Sequence, residues 1–391
     1  MATSAGRSPG STASLRAANT GRVLSVLRVT TATESDIPTT QADLARLTGL
    51  APATVSSIVR QLVGTGLVET DPGSGRRGTS VRLSRRAGIV AGIDFGHSHV
   101  AVGLGDLTGT LMRHRRVPLS ADHPQAQGLD EAATLLENLL DEEGSSLSEV
   151  RTIGLGLPVP IAAGVVRSSA ILPGWVGVKP QQVAEDRWGC PVHIENDANL
   201  GALAEHRRGA ARGYADVVFI KASSGMGAGI VIDNEVFRGS AGTAGELGHL
   251  TLDEQGPVCR CGSRGCLEAY VSTATIQSML ADQLPGASLE QIVRAAHEGN
   301  VSARRTIEDT GLYLGWGVAS VANLLNPALL VVGGELAQAG ELLLGPVRQA
   351  LRRHALDTVA ATPVTTSKLG ALASLTGAVL VAAESTDLLA D

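Results

Sequence analysis

The sequence predicts two joined units: a winged helix-turn-helix head over residues 15–84, and from residue 89 to the end a larger unit of hydrophobic strands that close on glycine turns. Three observations carry that reading. Gln41 to Ile58 hold the spacing of a helix-turn-helix. Residues 1–90 contain 11 arginines, no lysine and 5 acids, whereas the remaining 301 contain 21 bases and 33 acids, so a head of +6 sits on a body of −12 within a total of −6. A length of 391 residues also exceeds what one hydrophobic core serves.

Composition excludes several classes. With 43% hydrophobic and 18% charged residues the chain is globular rather than disordered, and with only 2% aromatics its cores rest on Ala, Val, Leu and Ile. No apolar run approaches the roughly 18–20 residues of a membrane helix, and the start lacks the apolar stretch of a secretory signal, so a cytoplasmic protein with no membrane partner is expected. Four cysteines, Cys190, Cys259, Cys261 and Cys266, are too few for a disulfide framework.

The first residues are small, polar and without period, so residues 1–14 are expected as a disordered tail with structure beginning near Leu15. From Asn19, Val23, Leu24 and Leu27 recur at helical spacing, and Gln41–Leu47 forms a second helix with Leu44 inward. Small Ala45 allows a helix crossing, Gly49 suits positive φ in the turn, and Pro52 suits the first position of a third helix to about Val63, with Val55, Ile58, Val59 and Leu62 inward. Ala51 stands where a Ser or Asp cap would be stronger. Gly66–Glu69 and Ser80–Leu83 read as wing strands around the tip Asp71–Gly78. The outer face of the third helix offers Thr54, Ser56, Ser57 and Arg60 to base edges and phosphates, and the tip offers Arg76 and Arg77 to the minor groove or backbone. Winged helices also bind protein partners, but the basic charge favours double-stranded DNA.

Residues 85–88 are expected as a linker, after which the larger unit starts with a strand, a glycine bend and a returning strand over Val90–Val100. Asp94, Gly96 and Ser98 mark that bend, which faces nucleotide phosphates in sugar-kinase-like ATPases and is elsewhere a plain β-turn. Asp216–Ala222 is a strand before a glycine-rich loop in which Ser224, Gly225 and Gly227 let backbone N–H groups approach phosphate oxygens. Leu329–Val332 runs into Gly333 and Gly334, a rest for a purine ring.

His249, Cys259, Cys261 and Cys266 give three thiols and an imidazole within the loop 249–266, the closed ligand set of a structural zinc site rather than a catalytic one. Reduced cysteines in a loop are the plainer alternative. Nearby, Asn196, Asp197, Glu246 and Glu268 suit sugar hydroxyls, and a cleft Asp can deprotonate one. Asp197 can equally cap the following helix, Asn199–Arg208.

The run from Ser224 through Gly245-Glu246-Leu247-Gly248-His249 to Cys259-x-Cys261-Gly262-x-x-Gly265-Cys266-x-Glu268 closely resembles the ROK family (repressors, open reading frames and kinases) from about residue 89 to the end. With the winged head, the whole chain resembles the family's transcriptional regulators, such as xylose and N-acetylglucosamine repressors. The resemblance implies an α/β, actin-like, hexokinase-type fold of two lobes around a cleft, assembled as a homodimer or homotetramer. It implies a sugar site at Asn196, Asp197, Glu246, His249 and Glu268, with Asp197 as catalytic base in kinase members and His249 also holding zinc. Family kinases read Asp-x-Gly-Gly-Thr at the first bend and Gly-Thr-Gly at the second. Here His97, Ser98 and Ser223-Ser224 replace those residues, and Val159 replaces a frequent glycine.

An imidazole at 97 is expected to obstruct phosphates while the sugar set stays intact. The sequence is thus read as a DNA-binding regulator, a repressor of carbohydrate-use genes, answering to a sugar or sugar phosphate. A sugar kinase with a DNA-binding head is the alternative, and control by a protein partner a third.

Overall fold

The computed structural model describes residues 12–32, 39–72, 78–84, 87–120, 123–167 and 171–388. The first helix, Thr12–Ala32, opens ahead of the expected Leu15, since residues such as Ala17 and Ala18 favour helix without adding the apolar period that marks one in a sequence. The expected tail over residues 1–11, and residues 85 and 86 of the expected linker, lie outside the described residues.

Thr40 starts the second helix, Gln41–Thr48, with a reciprocal cap: its Oγ1 accepts from Asp43 N at 3.2 Å and its own N–H donates to Asp43 Oδ2 at 3.1 Å. Gly49 ends it at φ +69°, its N–H donating to Ala45 O at 2.9 Å, and that left-handed residue aims the third helix, Pro52–Gly64. No side chain caps the third helix at Ala51, and Val55, Ile58, Val59 and Leu62 face inward. The wing strands are Val68–Pro72 and Thr79–Leu83, antiparallel, with Glu69 opposite Arg82 and paired to it at 3.0 Å. The first starts later than expected because Gly66, at φ +75°, still belongs to the turn after the helix. The wing-tip candidates Arg76 and Arg77 lie outside the described residues.

The body is built on two five-stranded sheets of one pattern. In the first, Ile89–Phe95 pairs antiparallel with His99–Asp106 and parallel with Val150–Leu157, flanked by Leu111–Pro118 and Val192–Asn196. In the second, Val217–Ala222 pairs antiparallel with Met226–Ile232 and parallel with Leu329–Gly333, flanked by Glu235–Val236 and Val364–Thr366. This is the two-lobed α/β architecture that the resemblance implies. Each sheet has its own core: Phe95 and Trp175 meet edge to face at 5.2 Å in the first lobe, while Ile292, Ile307, Leu314 and Leu343 fill the second. Among the described residues no helix is long and apolar enough to cross a membrane.

Two largely buried helices join these parts. Asp197–Arg208 buries every side from Asp197 to His206, and the C-terminal helix Ala373–Ser385 buries Ala373 through Leu380, which places both between other elements. The C-terminal helix lies so close on the first sheet that a Cβ on Gly154 would fall 2.0 Å from Ala378 O. At its far end Val379, Ala382, Ala383 and Leu388 share one apolar cluster with Val23, Leu27, Val81 and Leu83 of the head. Arg28 of the first helix donates to Glu384 O at 2.8 Å and also to Thr386 O. The head is therefore packed directly against the far end of the C-terminal helix.

Candidate functional site

The cleft between the lobes has a volume of ≈ 410 Å³, and all five residues of the implied sugar set line it: Asn196, Asp197, Glu246, His249 and Glu268. Local structure explains how each arrives there. The strand Val192–Asn196 delivers Asn196, which caps the next helix by accepting from Ala198 N at 2.9 Å and Asn199 N at 3.3 Å. Asp197 is then the first residue of that helix, so the alternative in which Asp197 is the cap of a helix from Asn199 is corrected: Asn196 holds that position, one turn-residue earlier than the apolar pattern indicated. Glu195 Oε1 accepts from Asn196 N and Asn199 Nδ2, both at 2.9 Å, and Arg238 Nε donates to its other oxygen at 2.6 Å, bracing the strand end from outside the cleft.

Asp197 is buried, and its Oδ2 accepts from Lys221 Nζ at 2.6 Å. Lys221 also donates to Ser374 Oγ at 3.1 Å, and Ser374 in turn donates to Asp197 O at 2.9 Å, so the C-terminal helix begins against the cleft floor. Burial works against the Lys221 ammonium, yet the Asp197 and Asp94 carboxylates outweigh it and hold its pKa above the ordinary value. Burial likewise opposes ionisation of Asp94, and Lys221, His99 and Arg116 hold its carboxyl below the usual range. Burial raises Glu246, only partly offset by His249 and reinforced by the neighbouring Asp197 and Glu268 charges.

Glu268 is 3% exposed and its carboxylate is engaged on both sides: Oε2 accepts from Met226 N at 2.9 Å, and Oε1 lies 3.0 Å from Arg260 Nε. Arg260 also donates to Ser224 O at 2.8 Å, tying the cysteine loop to the glycine-rich loop. Sequence reasoning missed Arg260 and Lys221. The second left a trace, a lone lysine inside an otherwise apolar strand run.

The four candidate metal ligands come together, every pair of donor atoms within 4.8 Å. Cys261 Sγ and Cys266 Sγ are 3.8 Å apart, as are Cys259 Sγ and His249 Nδ1. A tetrahedral ion with bonds of about 2.0–2.3 Å needs donors roughly 3.3–3.8 Å apart, so the cluster fits a metal ion. Burial pushes the Cys266 thiol up to about 12 and raises Cys259, while the Ser263 N–H lowers Cys261, so a metal entering here displaces protons. His249 turns Nδ1 to the cysteines and Nε2 to Glu246 Oε2, 4.0 Å away on the cleft side.

The implied nucleotide set divides. Gly96, Ser98, Ser224, Gly225 and Gly227 line the cleft, whereas Asp94 is buried behind it. Gly333 and Gly334 do not line it: a Cβ on Gly333 would lie 2.5 Å from Phe219 Cζ, and the next residue, Glu335, is the one at the cleft. His97 lines the cleft with Nδ1 3.2 Å from Ile171 O. The ring lying against the bend is that of His99, whose Cε1 sits 2.0 Å from where a Gly96 Cβ would be, with Arg116 Nη2 at 3.1 Å from its Nδ1.

On the head, Ser57 and Arg60 of the third helix are exposed and Thr54 and Ser56 half-buried. Exposed Gln61, beside Arg60, extends that face and was missed, although its amide can bond a base edge as well as any residue named there.

Known proteins bear on both units. A MarR family model matches residues 20–77 and the ROK family model matches residues 90–385. The chain is 29% identical over 317 residues to the xylose repressor of Bacillus spizizenii, covering 80% of this chain and 82% of that one. A crystal structure of a ROK family transcriptional regulator, a homologue of the Escherichia coli MLC protein, superposes with a TM-score of 0.77 at 26% identity, over 94% of this chain and 96% of that one. The ROK glucokinase of Streptomyces griseus, solved with glucose and AMPPNP, has a TM-score of 0.67 at 29% identity, over 76% of this chain and 100% of that one. The enzyme lacks a counterpart for about a quarter of this chain, whereas the regulator spans nearly all of it, and the family model takes in both sheets, the cleft and the cysteine loop: the chain belongs to the ROK family.

Proposed function

We propose that the protein is a sugar-responsive transcriptional repressor of carbohydrate-use genes, and that its cleft binds a sugar or sugar phosphate as a message rather than as a substrate. The observation that carries this is the direct join between cleft and head. Asp197 O and Lys221 hold Ser374 at one end of the C-terminal helix, and Arg28 of the head is bonded to Glu384 O and Thr386 O at the other. A xylose repressor and a ROK transcriptional regulator among the relatives support the same reading.

In this mechanism the sugar hydroxyls bond Asn196, Asp197, Glu246, His249 Nε2 and Glu268, drawing the lobes together. Rearrangement at Asp197 moves the start of the C-terminal helix through Ser374, and its end shifts the head. Ser57, Arg60 and Gln61 on the third helix read operator DNA. His249 Nδ1 and the sulfurs of Cys259, Cys261 and Cys266 would hold a zinc ion, which would supply a scaffold keeping the imidazole toward the sugar. Two heads on a symmetric operator require a homodimer or homotetramer, and the protein acts in the cytoplasm. The kinase alternative draws on the glucokinase likeness and on Asp197 in the cleft.

A thermal-shift screen of the full chain against mono-, di- and phosphosugars tests the proposal, since a ligand of the folded state raises the melting temperature. At least one sugar is expected to do so, and to change affinity for duplexes selected by the protein from a random pool. A sugar that binds without altering DNA affinity contradicts the repressor reading. Turnover of that sugar with labelled ATP favours the kinase.

A further inference from the structure

The chain has only 3 lysines against 29 arginines. Lys179 and Lys368 are exposed, and Lys221 alone is turned into the cleft, its side chain 19% exposed. It stands on the central strand Val217–Ala222, bonded between Met226–Ile232 and Leu329–Gly333, so its backbone has little freedom. Its ammonium donates to Asp197 Oδ2 at 2.6 Å, and the more distant carboxylate of Asp94, on the hairpin strand Ile89–Phe95 of the opposite lobe, adds a further attraction. Asp94 is 3% exposed, and its Oδ1 has no hydrogen-bond partner among the described residues.

Two acids converging at the phosphate end of a sugar-kinase-like cleft have a plain chemical use. Nucleotide phosphates enter such sites with a divalent cation, and hard oxygen ligands such as carboxylates hold it. Here one of these acids, Asp197, already has its cation in a group fixed to the chain, and the charge of that group also acts on Asp94. A primary ammonium is a compact point charge on a flexible stem, closer to a bound metal ion in size and shape than the planar fork of an arginine. A divalent ion brought beside it would meet a like charge at close range in a poorly solvated place.

We propose that Lys221 is a tethered cation that occupies the place of a divalent ion beside Asp197, under the charge of Asp94, and that it makes the cleft select a sugar over a metal–nucleotide. Lys221 is thus a specificity-determining residue. It also keeps Asp197 Oδ2 engaged, so that oxygen does not accept a proton from a sugar hydroxyl. The sugar half of the statement rests on the function proposed above; the cation half does not, and is tested with metal alone.

The test uses full-length protein loaded with zinc, titrated with Mn2+ and followed by electron paramagnetic resonance, for wild type, Lys221→Ala, Lys221→Gln and the double variant Lys221→Ala with Asp94→Asn. Wild type is expected to show no cleft site for Mn2+ in the low millimolar range. Each single variant should gain one site per chain, at least tenfold tighter than anything in wild type, and the double variant should lose it again. Lys221→Gln keeps most of the length and a hydrogen-bond donor if truncation to alanine prevents folding. Circular dichroism establishes which variants fold. A folded single variant with no new site overturns the proposal. So does wild type binding Mn2+, or Mn2+ with AMP-PNP, in the cleft, a titration that stands on its own if neither variant folds. Thermal shifts of the same proteins with sugars report separately on the sugar reading, so failure of one does not obscure the other.

Discussion

Two corners of one cleft gather side chains of the kind that bind cations, and they differ in what they are built to receive. At one, His249, Cys259, Cys261 and Cys266 bring soft donors to tetrahedral spacing with no lysine or arginine among the four. At the other, Asp197 bonds the protein's own ammonium at 2.6 Å, and the hard oxygens of buried Asp94 add their charge to it. The first corner could be completed by a metal ion, whereas at the second a side-chain ammonium already bonds Asp197. Such a cleft can keep the scaffold of a sugar site and still lack what phosphoryl transfer requires.

The largest expected effect lies at the metal corner. Cys261→Ser should lose bound metal by elemental analysis and lower stability by on the order of 4–5 kcal/mol, the range in which metal loss falls. It should also erase the sugar-induced thermal shift, because His249 and Arg260 are anchored on the same loop. Retention of metal and of the sugar response would merge the two corners into one kind of structure. Metal uptake should release protons, read by calorimetry in buffers of different ionisation heat, since the Cys266 thiol starts near 12.

Next is the ammonium corner. Lys221→Met leaves Asp197 and Asp94 buried without their cation, a change worth about 3–5 kcal/mol when one partner of a buried pair is removed. Its pH dependence has a definite sign. The folded-state pKa of Lys221 is raised, so the stabilisation is fully present below the unfolded value of about 10.4 and is lost as pH rises through the folded value. Denaturant unfolding between pH 7 and 11 should show wild type converging on Lys221→Met only at the alkaline end. Parallel curves over that whole range would remove the ion pair from the account.

The head offers a smaller effect that separates reading from holding. Arg60→Ala should weaken selected DNA by about 1–3 kcal/mol and relax specificity at one position if the guanidinium reads a base. Equal loss on selected and random duplexes would assign Arg60 to the phosphates. Arg28→Ala should leave the sugar thermal shift intact while reducing the effect of sugar on DNA affinity, because Arg28 touches the C-terminal helix and not the cleft.

What was legible in the sequence divides along the same lines. The helix-turn-helix is a local device: Ala45, Gly49, Val55 and Ile58 lie within one short stretch of two consecutive helices, so their spacing shows directly. The cysteine cluster is local too, with only His249 arriving from further away. The ammonium corner is not. Asp94, Asp197, Lys221 and Ser374 come from four elements scattered over most of the chain, and no spacing rule links them. Glu268 was legible as a cleft acid, but its bonds to Met226 N and Arg260 depend on how two loops pack. The wing start was misplaced for a similar reason, as Gly66 favours neither strand nor turn until the preceding helix has ended.

The central claim is that sugar binding in the cleft is read out as DNA affinity and not as turnover. Its most direct measurement is fluorescence anisotropy on a selected duplex, with and without the sugar that shifts melting, in the presence of Mg2+ and ATP, with the sugar recovered and examined by phosphorus resonance. A coupling of about 1–3 kcal/mol predicts a change in DNA affinity of roughly 5- to 150-fold and an unphosphorylated sugar at the end. Unchanged affinity with the sugar bound, or a phosphorylated sugar in the recovered sample, would contradict it.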